Sequence, residues 1–148
     1  MLQLILSFVL VASGFSKSEY FKVIGGKDTK SLDKMIATLE KASSSADKNA
    51  YLGAITMKRA GFEETAKQKL ALFKKGKDLL EKSITANKKN TEYRFLRLIV
   101  QENAPKLLKY SANISEDAKW VKDNYKKCDS EIKQAVENYA AHSVVLDL

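Results

Sequence analysis

Pro105 is the only proline in the chain, and glycine occurs only six times. A sequence with so little punctuation turns mainly at polar breaks, and between those breaks its apolar residues recur three and four apart. Leu32, Met35, Ile36 and Leu39 form one such stripe, and Leu72, Phe73, Gly76, Leu79, Leu80, Ser83 and Ile84 form another. Each matches one face of an α-helix, with Gly76 as a very small residue where a second helix can approach closely. Leu, Ala, Lys and Glu dominate the composition, and all four favour helices. No stretch alternates apolar and polar residues as a half-buried strand does. An all-α domain over 28–148 follows, with about six antiparallel helices stacked as hairpins.

The breaks divide those helices. Asp28 or Thr29 caps a first helix ending near Ala42, and a second covers about 49–60 with Gly61 as its stop. A third runs over roughly 64–86 to the polar turn ANKKN. A fourth starts at Thr91 and ends near Glu102, because the residue before Pro105 is pushed out of the α region. Ser115 is the expected cap of a fifth helix over about 116–128. The sixth runs from Ser130 to about His142, which leaves VVLDL as a strand-like or frayed tail.

The N-terminus points to export. Leu2 to Ala12 is a largely apolar block of eleven residues, shorter than the roughly 20 needed to span a bilayer as a helix. Ser13, Gly14 and Ser16 follow, and the first charge is Lys17. This order reads as a signal peptide over 1–16, cleaved after Gly14 or Ser16, and hence as a secreted or periplasmic protein. An uncleaved anchor or a buried first helix is the competing reading. Residues 17–27, interrupted by Gly25-Gly26, read as a flexible leader.

Of 26 basic residues 23 are lysine, and the net charge is +8. A surface of that kind attracts an anionic envelope polymer or stays solvated for solubility. Three arginines equip the chain poorly for reading nucleic acid. One cysteine, Cys128, and one histidine, His142, assemble neither an internal disulfide nor a zinc site, so no metal or cofactor is expected. Lys126 and Lys127 beside Cys128 are placed to lower its pKa, as a reactive thiol or intermolecular bridge would need, although an incidental helix-end cysteine accounts for it better. Nucleophile-elbow, P-loop and HExxH motifs are absent from the sequence, so no catalytic residue is assigned and a non-enzyme is expected. An enzyme working through carboxylates alone stays as a further alternative. Trp120, Tyr125 and Tyr139 suit a core stripe in the last two helices better than a ligand pocket.

The middle of the chain resembles one tetratricopeptide unit. Leu52-Gly53 stands where that family has a Leu-Gly in its first helix, and Gly76, Leu80 and Ser83 stand where its second helix alternates small and large residues. A second full unit at the family's period of about 34 residues does not follow. AYLGAITM, FKKGKDLLEKSI, EYRFLRLIVQENAPKLLKY and NISED, in that order over roughly 49–117, are similar to a group of small exported helical proteins of bacteria. That resemblance implies a tetratricopeptide-like helical-hairpin stack and an envelope location, and it implies no reaction.

Within the helix from Thr91, Arg94, Arg97 and Gln101 lie three and four apart on one stripe. Arginine forks suit carboxylates, so this stripe is the expected contact for a protein or peptide partner. The alternative is that both arginines pair with internal carboxylates such as Glu81, Glu92 or Glu116 and tie neighbouring helices together.

Overall fold

The computed structural model describes residues 15–148, and among these residues it is built from helices and turns alone. Seven α-helices follow in order: α1 (Lys17–Gly25), α2 (Thr29–Lys41), α3 (Ala46–Ala60), α4 (Ala66–Ala86), α5 (Thr91–Asn103), α6 (Ile114–Asn124) and α7 (Ser130–Ala140). Short 3-10 turns lie at Lys106–Leu108 and Tyr125–Lys127. No helix among the described residues is long and apolar enough to cross a membrane. The apolar N-terminal block expected as a signal segment lies outside the described residues; only Phe15 and Ser16 of that expectation are seen.

Helix starts follow from side chains that satisfy first-turn N–H groups. Asp28 accepts from the Lys30 amide, Ser45 from Lys48, Asn90 from Tyr93 and Asp129 from Ile132. Thr65 and Gln68 form a reciprocal capping box at the start of α4. The fifth expected helix begins earlier than Ser115 suggests. Asn113 is its cap position, and the Asn113 N–H goes to the Gln101 side chain of α5 instead of to a local cap.

α3 and α4 run antiparallel along each other, with the Ser83 hydroxyl donating to the Ala46 carbonyl at one end. Their closest approach is at Gly53 and Gly76, where a Cβ on either residue would lie 2.6 Å from the other's carbonyl oxygen. Only two glycines allow backbones this near, so the stripe noted around Gly76 is a helix crossing.

Residues expected as a flexible leader instead form α1. Ser16 caps it, Tyr20 is fully buried, and its hydroxyl donates to the Tyr51 carbonyl at 2.7 Å. Aromatic rings explain why: Tyr20 and Tyr51 meet edge to face with centroids 4.8 Å apart, and Phe15 packs on Tyr51 at the same distance. The short run broken by Gly25-Gly26 hides the fact that Tyr20 and Ile24 lie on one helical face.

Two apolar clusters make up the core. One joins α1 to α4 with Tyr93, Leu96 and Val100, and the other joins α6 and α7 with Phe95, Leu98 and Ile99. α5 contributes to both and is buried at eight consecutive or near-consecutive positions from Tyr93 to Gln101. The C-terminal tail is neither strand nor frayed as far as Leu146. Ser143 Oγ accepts from the Val145 and Leu146 amides, Glu102 accepts from Ser143 Oγ and the Val144 amide, and Leu146 is buried.

Gly53→Ala places a methyl group against backbone and is expected to lower stability by about 3 kcal/mol, whereas Gly25→Ala, with open space around a Cβ, changes it by under about 0.5 kcal/mol. Urea titration of the two variants checks this contrast. Tyr20→Ala is expected to lose about 3–5 kcal/mol in the same titration, and a loss below about 1 kcal/mol would show that α1 is peripheral to the fold.

Candidate functional site

The arginine stripe of α5 faces inward. Arg97 grips Asp117 of α6 through two bonds, Nε to Oδ2 at 2.6 Å and Nη2 to Oδ1 at 3.0 Å, and reaches Glu81 of α4 at 3.2 Å. Asp117 is completely buried. Burial pushes its carboxyl pKa up by more than the Arg97 and Arg94 guanidinium groups draw it down. One turn further along α5, Gln101 donates to Asn113 Oδ1 and accepts from the Asn113 amide. Arg94 donates to the Lys88 carbonyl at 2.7 Å, lies 3.5 Å from Glu116, and stacks 4.4 Å over the Trp120 ring. Arg94, Arg97 and Gln101, expected as peptide contacts, therefore serve as ties among α4, α5 and α6. The physical reason is that a helix buried on nearly all sides must satisfy its polar groups inside the protein.

Other singled-out residues divide similarly. Trp120 donates to Thr91 Oγ1 and supports Arg94, while Tyr125 is buried in the second cluster. Cys128 does not follow the expectation from its lysine neighbours. Burial raises its thiol pKa, and Glu92 and Asp129 raise it further. Tyr139 and His142 come together elsewhere, on the wall of a cleft.

That cleft has a volume of about 1380 Å³. Its bed consists of buried Met57, Ala60, Phe73, Phe95, Ile99 and Val100, drawn from both core clusters. It opens where those clusters part at the C-terminal end of α5. Asn103 and Pro105 stop that helix, and the 3-10 turn carries the chain away, with Lys109 in the left-handed region at φ 50°. Phe62, Leu70 and Leu107 form an apolar lip at 37%, 43% and 90% exposure. Exposed large apolar side chains gathered on one concavity mark a binding surface more than singly scattered ones do. Periodicity could not reveal this site, because its residues come from five helices, two connections and the segment after α7.

The α7 wall is held by Glu102, which accepts from the Tyr139 hydroxyl and from Ser143. Burial, then that carboxylate, keeps the Tyr139 phenol well above the usual tyrosine range and therefore a neutral donor. On α1, Ser18 donates to Glu131 through its amide at 3.0 Å and its hydroxyl at 3.3 Å, which anchors the facing end of α7.

If Arg97 is a tie and not a ligand contact, Arg97→Met should cost about 3–5 kcal/mol by leaving Asp117 buried without its partner. Arg97→Met combined with Asp117→Leu should recover most of that loss in chemical denaturation, since an apolar pair of similar size carries no unpaired charge.

No protein-family model matches the chain, and no curated protein or solved structure compared with it does so either.

Proposed function

We propose that the protein is a non-enzymatic interaction module, exported to the cell envelope, whose apolar cleft receives a segment of a protein partner. The cleft carries this reading. At about 1380 Å³ it exceeds the roughly 300–1,000 Å³ of typical small-molecule pockets, and its exposed lip extends the apolar surface outward. Carboxylate-only hydrolysis needs two carboxyl groups flanking the scissile bond, and the lining holds Glu131, engaged by Ser18, as its one carboxylate. This supports binding over catalysis.

The close α3–α4 hairpin, with Gly53 against Gly76, supports a tetratricopeptide-like reading of that part of the stack. The apolar block Leu2–Ala12 supports export. Of the two cleavage points, Gly14 is the better fit, because it leaves both the Phe15–Tyr51 contact and the Ser16 cap of α1 in place.

The test is capture from an envelope extract by wild type and by the variant Phe62→Asp/Leu70→Asp, at low and moderate salt. Both lip residues are exposed, so the variant should stay within roughly 1 kcal/mol of wild-type stability. Wild type is expected to retain its partner at both salts and the variant to lose it. Capture that fades with salt and ignores the lip would replace this reading with a lysine-borne hold on an anionic envelope polymer.

A further inference from the structure

The charges around the cleft are distributed unevenly. The α1, α3 and α4 side carries Lys22, Lys58 and Lys69, none of which has an ion-pair partner among the described residues. The α7 side carries Gln134 and Asn138, four apart on one face with Gln134 donating to Asn138, and His142 in the turn just past the helix end. Glu131 is at the end of that row and is already bonded to Ser18. One side of the lining is therefore basic, and the other is polar with Glu131 as its one carboxylate, with an apolar bed between them.

Lys58 is the least solvated of the three lysines. It is half-buried, its ammonium lies 5.9 Å from the Phe62 ring centre, and burial together with nearby Lys27 lowers its pKa. A cation held beside an apolar lip without a carboxylate is a place where an incoming anion gains most. The size of the trough narrows the choice of occupant. An α-helix with its side chains is about 10–12 Å across and rises 1.5 Å per residue, so three turns fill roughly 1,300–1,800 Å³. The cleft, at about 1380 Å³, is of that order.

We infer that the partner segment is an amphipathic helix of about three turns with acidic residues along one flank of its apolar face, seated so that those acids meet Lys22, Lys58 and Lys69. The inference rests on the cleft being the binding site and adds the partner's chemistry and orientation. The apolar face covers Phe62, Leu70 and Leu107, and the opposite flank, polar and uncharged, faces Gln134, Asn138 and His142.

Three synthetic helices of about 14 residues test it, sharing a leucine face and carrying glutamate, glutamine or lysine on one flank. Fluorescence anisotropy with the full chain at low salt is expected to rank them glutamate, glutamine, lysine, with about tenfold between the first two. Lys58→Glu/Lys69→Glu should invert the order while leaving the glutamine peptide's affinity within about threefold. The Phe62→Asp/Leu70→Asp variant should weaken all three. Equal binding of the glutamate and glutamine peptides, sensitive to the lip variant, would overturn the acidic flank and leave the cleft reading standing. Failure of all three peptides, with a single-chain alkyl phosphate binding instead, would overturn both and make the occupant a lipid-like amphiphile.

Discussion

Arg97 carries a fixed charge on a helix surrounded by protein, and the arrangement of the second half of the molecule follows from the need to satisfy it. α5 lies between two apolar clusters, so its polar stripe must find its partners on α4 and α6. Asp117 meets the guanidinium with both oxygens, and Gln101 meets Asn113 one turn away. These two contacts set how far α6 is slid and rotated against α5. A sliding error of one residue would separate both pairs at once. Burying two charges costs several kcal/mol of desolvation per ion, so the pair adds less to net stability than its geometry suggests. We read its main consequence as the unique register of α5 and α6.

The cleft is a by-product of the same constraints. Gly53 and Gly76 draw α3 and α4 so close that the hairpin has little room between its helices, and its loop end carries Phe62 and Leu70 outward. α5 stops at Asn103, where its side chain donates back to the Ile99 carbonyl and Pro105 follows, so nothing continues along the seam between the clusters. α7 is kept on the far side of the seam by Glu102 and by the buried Leu146 of the tail. An apolar trough remains between α4 and α7, with α5 as its bed. Of the polar side chains that fix its walls, Ser18, Glu131 and Tyr139 also line it.

Much of this architecture was legible in the residues, and where it was not the reason is physical. Asp28, Thr91, Ser130 and Pro105 mark starts and stops through local chemistry, so the corresponding helix ends were readable to within a few positions. Gly76 on the α4 stripe signalled a close crossing, and Gly53 supplies its other half. α1 was missed because its burial depends on Tyr20 and Ile24 meeting Tyr51, a contact over long sequence separation that leaves only a weak local pattern. The spacing of Arg94, Arg97 and Gln101 correctly placed them on one stripe. It could not say whether that stripe faces water, because Asp117 and Asn113 lie on another helix. The cleft had no local signature, since Phe62, Leu70 and Leu107 look like ordinary isolated apolar residues until the fold brings them together.

An exposed apolar trough in a small domain carries a cost, because its lining forgoes burial at about 25 cal/mol per Å² of apolar surface. Collapse would recover that surface if the walls could move. Here each wall is held by an interaction that closure would break: the Gly53–Gly76 backbone contact, the Tyr139 and Ser143 bonds to Glu102, and the Ser18 bonds to Glu131. Under the proposed function, a trough fixed in this way is already shaped before a partner arrives, so association loses less to ordering the protein, and more of the apolar contact appears as affinity. The same rigidity limits what can enter. A flexible Met-rich surface repacks around many sequences, but this bed has Met57 as its one methionine among aromatic and branched side chains. Under the proposed function, selection among partners falls to the length of the apolar face and to the charge on the flank that meets Lys58.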